Sequence, residues 1–580
     1  MSDPLSPNAM DPSMQMAMLP VSSPVPPSPP RVVPACLETA AAAEEVLKEH
    51  CGGCHSDPVD AKGGFSTVLD VSSLVASGKV AEYQPDMSLI LQRMVNGSMP
   101  PATVQERPDA GDIDALESWI DCGAPDWSLA AGQPLMFATI DWRLGTILGD
   151  LRATANPSQR ERYRYFDFSA LFNAGYTEDE LEVYRQAVSF LLNSLSRGIS
   201  VTPPEPIDAD RLLYRIDLQD YIWDEDTWAQ LEDEYPYAVI YDEDSRLYPF
   251  DENAAEQIRE ETNTQIPFIQ ADWFLSHASR PPLYFTLLEL PDSLQGLERQ
   301  LGIDVNQNIA DEDVVRSGFQ DSEPSQNNRI IERHDLGGSR GAFWQSYDFA
   351  SNADFGNIFA HPLDFQEAGG EMIFNLDNGL QAYFVADAAG NRLDKAPNAV
   401  VQDPRSRDGA VETGISCMNC HMTDGILQKF DEVRDFQLGA GANAQEIEAV
   451  LAIYGTREVL LDVFERDQNR YGAARDALGL TVLTNTTMHE LDGIHLGFLD
   501  LDVVASVVGI PPDDLKRSID STPQAFPPEI LTLRRSGGGI QRDAFDEIFD
   551  DLVEAIGLGD QLLTSPAPTP FQGDFTTSTQ

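Results

Sequence analysis

Apolar positions recur mostly at helical spacing along this chain of 580 residues. Ala-rich Leu37 to Glu49 has high helix propensity and runs directly into Cys51. A second run, Asp86 to Asn96, places Leu89, Ile90, Met94 and Val95 at helical intervals. A third, Gly111 to Asp121, gathers Ile113, Leu116, Trp119 and Ile120 on one face, suited to packing on the first. Further along, Thr177-Glu178-Asp179-Glu180 is a capping box that opens an amphipathic stretch from Leu181 through Leu195, ended by Gly198. Helical patterns also cover Leu283 to Leu301. From 329 to 416 the character changes towards strands and turns, and Glu371 to Leu376 and Leu380 to Val385 flank Asp377-Asn378-Gly379, a strong hairpin signal. The pattern predicts a multidomain, mainly α protein with a small β-hairpin-containing region.

Chemistry enters with the cysteines. Four of the six lie in two Cys-x-x-Cys-His motifs, Cys51-Gly52-Gly53-Cys54-His55 and Cys417-Met418-Asn419-Cys420-His421. This is the spacing of covalent haem c attachment. Two intervening residues let both thiols meet one edge of a porphyrin as thioethers, and the next imidazole reaches the iron. No second Cys pair completes a zinc cage at either motif. Two covalently bound haem c groups are therefore expected, with His55 and His421 as proximal iron ligands. The remaining pair, Cys36 and Cys122, stands before the first helix and near the end of the third. In an oxidising compartment a disulfide between them closes a loop of about 86 residues and contributes on the order of 4 kcal/mol.

Composition narrows the partners. With 95 acidic against 38 basic residues the net charge is −57, which excludes nucleic acid and disfavours acidic membranes. Such acidity suits a solvated surface and the steering of basic redox partner proteins. No apolar stretch approaches a spanning helix, the best short run being Val503 to Ile510, so no transmembrane segment is expected. Haem c is attached outside the cytoplasmic membrane, which predicts a periplasmic or extracellular protein. An export signal would accompany this, yet the first basic residue is Arg31 and no apolar core precedes it. Residues 1–34 are instead rich in Pro, Ser and Met and read as an extended tether, possible at a membrane.

The motifs His-Cys-Gly-Gly-Cys-His, Gly-Ser-Met-Pro-Pro and Trp-Ile-Asp-Cys-Gly-Ala-Pro resemble the class I cytochrome c family, and more closely its planctomycete-type variant, over roughly 95 residues. The resemblance implies an N-terminal class I cytochrome c fold in which the Met of the Met-Pro-Pro loop is the distal ligand, which carries over to Met99. The residues agree: Met99 sits in a proline-stiffened loop able to hold a thioether over iron. Met94 and Met87 are the alternatives. His/Met ligation favours a raised potential and electron transfer.

The second haem c domain resembles a segment of large multidomain c-type cytochromes, a likeness that implies shared architecture and haem carriage. Its distal ligand stays open. His361, in a loop beside Pro362, ranks first, then His334, then Met488 or His495. The expected organisation is a tether over 1–34, a cytochrome c domain over 35–128, a mainly helical middle domain over 129–330, an α+β domain with the second haem over 331–558, and a flexible tail over 559–580. The leading function is electron transfer by a dihaem c-type cytochrome. The alternative is a dihaem peroxidase-like oxidoreductase with an open second haem and an acid–base residue such as Glu371.

Overall fold

The computed structural model describes residues 34–56, 65–69, 71–81, 84–101, 103–104, 107–122, 124, 137–241, 254–320, 322, 324–406, 408–440 and 444–562. The expected tether lies outside the described residues but for Pro34, and the tail outside them from 563 onward. The chain divides into two compact units, residues 1–136 and 137–580. The stretches 129–330 and 331–558, set apart in the sequence reading, therefore meet in one unit from residue 137 onward.

In the first unit the helix α1, Pro34–Leu47, continues through a π-helical turn, Lys48–Gly52, into Gly53–His55. A π turn adds a residue to the helical repeat and is frequent at functional sites. Helices α2, Leu89–Val95, and α3, Ala110–Asp121, follow. α3 starts on a capping box between Asp109 and Asp112 and packs on α1. Their shared core holds Ala40, Ala43, Leu47, Leu116, Trp119 and Ile120. His50 Nε2 lies 3.1 Å from Asp112 Oδ2 and fastens the end of α1 to the start of α3. Cys122 is disulfide-bonded, and Cys51, Cys54, Cys417 and Cys420 are not. The side chain of Cys36 lies outside the described residues.

The second unit is mixed α/β, which corrects the mainly α expectation. Strand β1, Tyr163–Asp167, is buried along its whole length. The capping box at Thr177 and Glu180 opens α4, Glu178–Ser194. Strands β2, Glu205–Pro206, β3, Leu213–Asp217, and β4, Phe268–Gln270, join β1 in the order β2-β3-β1-β4, with only the β1–β4 pair parallel. β4 runs into helix α5, Ala271–Ala278. The helical run expected over Leu283–Leu301 splits into Leu283–Leu287 and Leu294–Leu301, with Pro291 between them.

A five-stranded antiparallel meander is the centre of this unit. Its strands are β5, Val315–Phe319, β6, Arg329–Asp335, β7, Ala342–Asp348, β8, Gly369–Asn375, and β9, Gln381–Asp387, each paired with the next. The expected hairpin is β8–β9, with Asn375 opposite Gln381. Three helices follow: α6, Ile415–His421, α7, Arg457–Ala477, and α8, Thr487–His495. Helix α9, Leu501–Val508, covers the Val503–Ile510 run. Residues 559–561, assigned to the tail, pair as a short strand with 239–241. Among the described residues no helix is long and apolar enough to cross a membrane.

Candidate functional site

The second Cys-x-x-Cys-His motif forms the whole of α6 after its first turn. Gly414 starts this helix at φ 91°, where a Cβ would stand 2.3 Å from the Ser279 carbonyl and 3.0 Å from the Tyr284 ring. Only glycine lets the motif helix approach so closely. Cys417 and His421 are buried, and Cys417, Cys420 and His421 together line a cavity of about 120 Å³.

Strand periodicity builds the facing wall. Alternate residues Arg329 and Ile331 of β6, Trp344 and Ser346 of β7, and Glu371 and Ile373 of β8 line the same cavity. The cross-strand pairs Ile331–Ser346 and Trp344–Ile373 fix that register. Trp344 stacks on Phe464 of α7 at 5.0 Å and donates its indole N–H to Asp467 at 2.8 Å. Arg333, on the same face, donates to both oxygens of Asp467 at 2.8 and 3.0 Å. An ion pair of β6 and α7 thus holds an indole in the cavity wall.

His421 donates from Nδ1 to the Gly425 carbonyl at 2.8 Å, which fixes the ring and leaves Nε2 for another partner. Glu371 Oε1 lies 3.9 Å from that Nε2, and Glu371 also accepts from Arg329 at 3.2 Å. Burial pushes the Glu371 carboxyl up, but the His421 ring and the Arg329 guanidinium outweigh it and hold it below its ordinary value. Tyr383 stacks near His421 at 6.0 Å.

The first motif repeats the same device. His55 donates from Nδ1 to the Phe65 carbonyl at 3.0 Å, with the Phe65 ring 5.4 Å away. Met99 is half-buried in a loop fastened by Arg107, which donates to the carbonyls of Gly97 and Pro100 at 2.7 Å each. Of the alternatives, Met94 is taken into the hydrophobic core and Met87 is exposed.

The thiols of Cys51 and Cys417 are not activated. Burial and then Cys54 push the Cys51 thiol up to about 11, and burial and then Glu371 push Cys417 well above its ordinary value. Thiol–disulfide catalysis requires the opposite shift. Among the described residues no three His, Cys, Asp or Glu side chains cluster as a cage for a bare metal ion.

The candidate distal ligands of the second motif are scattered. His361 sits in a surface turn, donates to Asp364 at 3.1 Å and packs on Phe355; it does not line the cavity around His421. His334 is fully buried on the opposite face of β6 with both nitrogens engaged, by Glu332 at 2.9 Å and Asn308 at 3.2 Å. Met488 is buried in α8, and neither it nor His495 lines that cavity. The structure therefore does not bring His361, the first-ranked residue, to His421. Sequence reading missed the cavity wall of Arg329, Ile331, Trp344 and Ser346, because β6 buries residues on both faces and its alternation is masked. His489, in the same downstream segment as Met488 and His495, donates to the cavity residue Asp403 at 3.0 Å.

No family model, curated protein or solved structure matches this chain.

Proposed function

We propose that the chain is a dihaem c-type cytochrome working outside the cytoplasm as an electron-transfer protein. The observation that carries this reading is the shared arrangement of the two motifs. In each, histidine Nδ1 is tied to a backbone carbonyl, so Nε2 remains for iron. At the second motif both cysteines and the histidine line one cavity, which places together the residues that porphyrin attachment uses. A bound haem supplies one-electron redox chemistry at its iron.

The chain's own residues do the rest. His55 and His421 are held as ligands; Cys51, Cys54, Cys417 and Cys420 are the attachment points. Met99 is presented by the loop that Arg107 fastens, the position that the cytochrome c resemblance assigns to the distal thioether. Ile331, Trp344 and Ile373 exclude water from the second cavity. The net charge of −57 steers basic partner proteins.

A second reading, a peroxidase-like oxidoreductase, is favoured by one observation. The cavity around His421 is lined by no other histidine and by no methionine, while the ionised Glu371 faces the same Nε2. Glu371 would there hold or move a proton at its carboxylate. Low-temperature electron paramagnetic resonance of the oxidised, haem-loaded protein separates the two. Two low-spin ferric signals support electron transfer through two six-coordinate haems; a high-spin signal from the second supports the enzyme.

A further inference from the structure

A second cavity, lined by none of the second motif's residues, has an unpaired acceptor at its base. It lies among α5, α8 and α9 and has a volume of about 110 Å³. His495, the last residue of α8, lines it with a side chain only 1% exposed. Its Nδ1 is 2.9 Å from Asp272 Oδ2 on α5, and because a carboxylate only accepts, Nδ1 carries the proton. Asp272 is pressed upward by burial, yet its bond from His495 and the neighbouring Arg542 hold it down at about 2, so the carboxylate stays ionised. With the proton on Nδ1, a singly protonated ring presents Nε2 as an acceptor. That atom is buried and has no hydrogen-bond partner.

Buried polar atoms are almost always paired, so a bare Nε2 beside open space points to an occupant that donates a hydrogen bond. The surroundings define that occupant further. Arg542 Nη2 lies 3.8 Å from Asp272, so the fixed charges at the base compensate each other and favour a neutral molecule. Leu171, Val503 and Val507 supply aliphatic wall, and Tyr176 and Tyr184 supply aromatic faces. Ile494 and Phe498 also line the cavity, and at 50% and 71% exposed they form an apolar lip open to solvent.

We propose that this cavity is a binding site for a small neutral hydroxyl compound of the phenol class, with the ring against the apolar wall and the O–H donated to His495 Nε2. The volume is several times what a single water needs. The Asp272–His495 pair is a positioning device of the kind that fixes a ring nitrogen toward a ligand. The site stands apart from the haem reading and does not depend on it.

The test uses the full chain and two probes of nearly equal shape, phenol and toluene, titrated by calorimetry with the His495 ring nitrogens followed by NMR. Phenol is expected to bind saturably, about tenfold more tightly than toluene, because only phenol pairs the buried acceptor. The Nε2 resonance is expected to move on phenol binding. His495→Leu should erase the preference for phenol, and Val503→Trp, which fills the cavity from α9, should abolish binding of both probes. Equal affinity for phenol and toluene in the unmodified protein would overturn the proposal, as would phenol binding that survives Val503→Trp. Absence of saturable phenol binding would leave water as the occupant and would also overturn it.

Discussion

Replacing Asp467 with alanine tests how the wall of the second-motif cavity is held. Asp467 has a side chain 2% exposed and is the acceptor for Arg333 Nε and Nη2 and for the Trp344 indole. Its loss strands the Arg333 guanidinium, itself 5% exposed, in the protein interior. Breaking a buried ion pair from one side costs about 3–5 kcal/mol. An orphaned indole N–H adds to this, on the order of 1 kcal/mol. Asp335, 3.4 Å from Arg333 Nη1, offsets part of the loss. The expected destabilisation is therefore about 4 kcal/mol, a large share of the roughly 5–15 kcal/mol that holds a domain folded. Equilibrium urea unfolding measures it, with near-ultraviolet circular dichroism reporting the freed Trp344. The double variant Arg333→Met/Asp467→Leu removes both charges and should recover most of the loss, since a well-packed apolar pair often equals a buried ion pair. A single-variant cost below about 1 kcal/mol, or a double variant as unstable as the single, would refute the reasoning.

Burial pushes the Asp546 carboxyl up to about 6 against the bond it accepts from Tyr237. The folded state then binds the proton more tightly than the unfolded chain, so stability should fall as pH rises from about 4 to about 6, by roughly 3 kcal/mol from this group. Asp546→Asn should flatten that fall in pH-dependent unfolding; an unchanged profile would count against the shift, although Asp431, also raised to about 6, leaves a remainder. Gly414→Ala should lower the melting temperature and disturb haem attachment at Cys417 and Cys420, because its Cβ would strike the Ser279 carbonyl; a wild-type melting curve would contradict this. Met99→His should lower the potential of the first haem in a redox titration, since imidazole favours ferric iron over a thioether; an unchanged potential would remove Met99 as ligand.

What could be read from the sequence follows the range of the interactions. The helix leading into Cys51, the α3 stripe of Leu116, Trp119 and Ile120, the capping box of α4 and the β8–β9 hairpin all declare themselves locally, and all stand in the fold. The rest of the meander does not. Strand β6, Arg-Ile-Ile-Glu-Arg-His-Asp, buries charged residues on both faces, and only partners distant in sequence compensate them: Arg316 for Glu332, and Asp467 for Arg333. Period-two alternation is invisible under such a pattern. β1, Tyr-Arg-Tyr-Phe-Asp, was hidden for a similar reason, since Arg164 is buried and donates to backbone carbonyls, including that of Thr262. At the site, the attachment residues were legible because their spacing is chemical, whereas the wall of Arg329, Trp344 and Glu371 is assembled by register alone. His361 looked suitable as a loop histidine beside proline, but chain proximity to the hairpin does not bring it to the cavity.

The most direct test of the haem reading is intact-protein mass spectrometry, under denaturing conditions, of the full chain exported in a host with c-type haem-attachment machinery, alongside a known c-type cytochrome made in the same cells. Two covalent haems per chain are expected, one lost when Cys51 and Cys54 are replaced by Ala and the other when Cys417 and Cys420 are. A chain that carries no covalent haem while the control is loaded would contradict the proposed function outright.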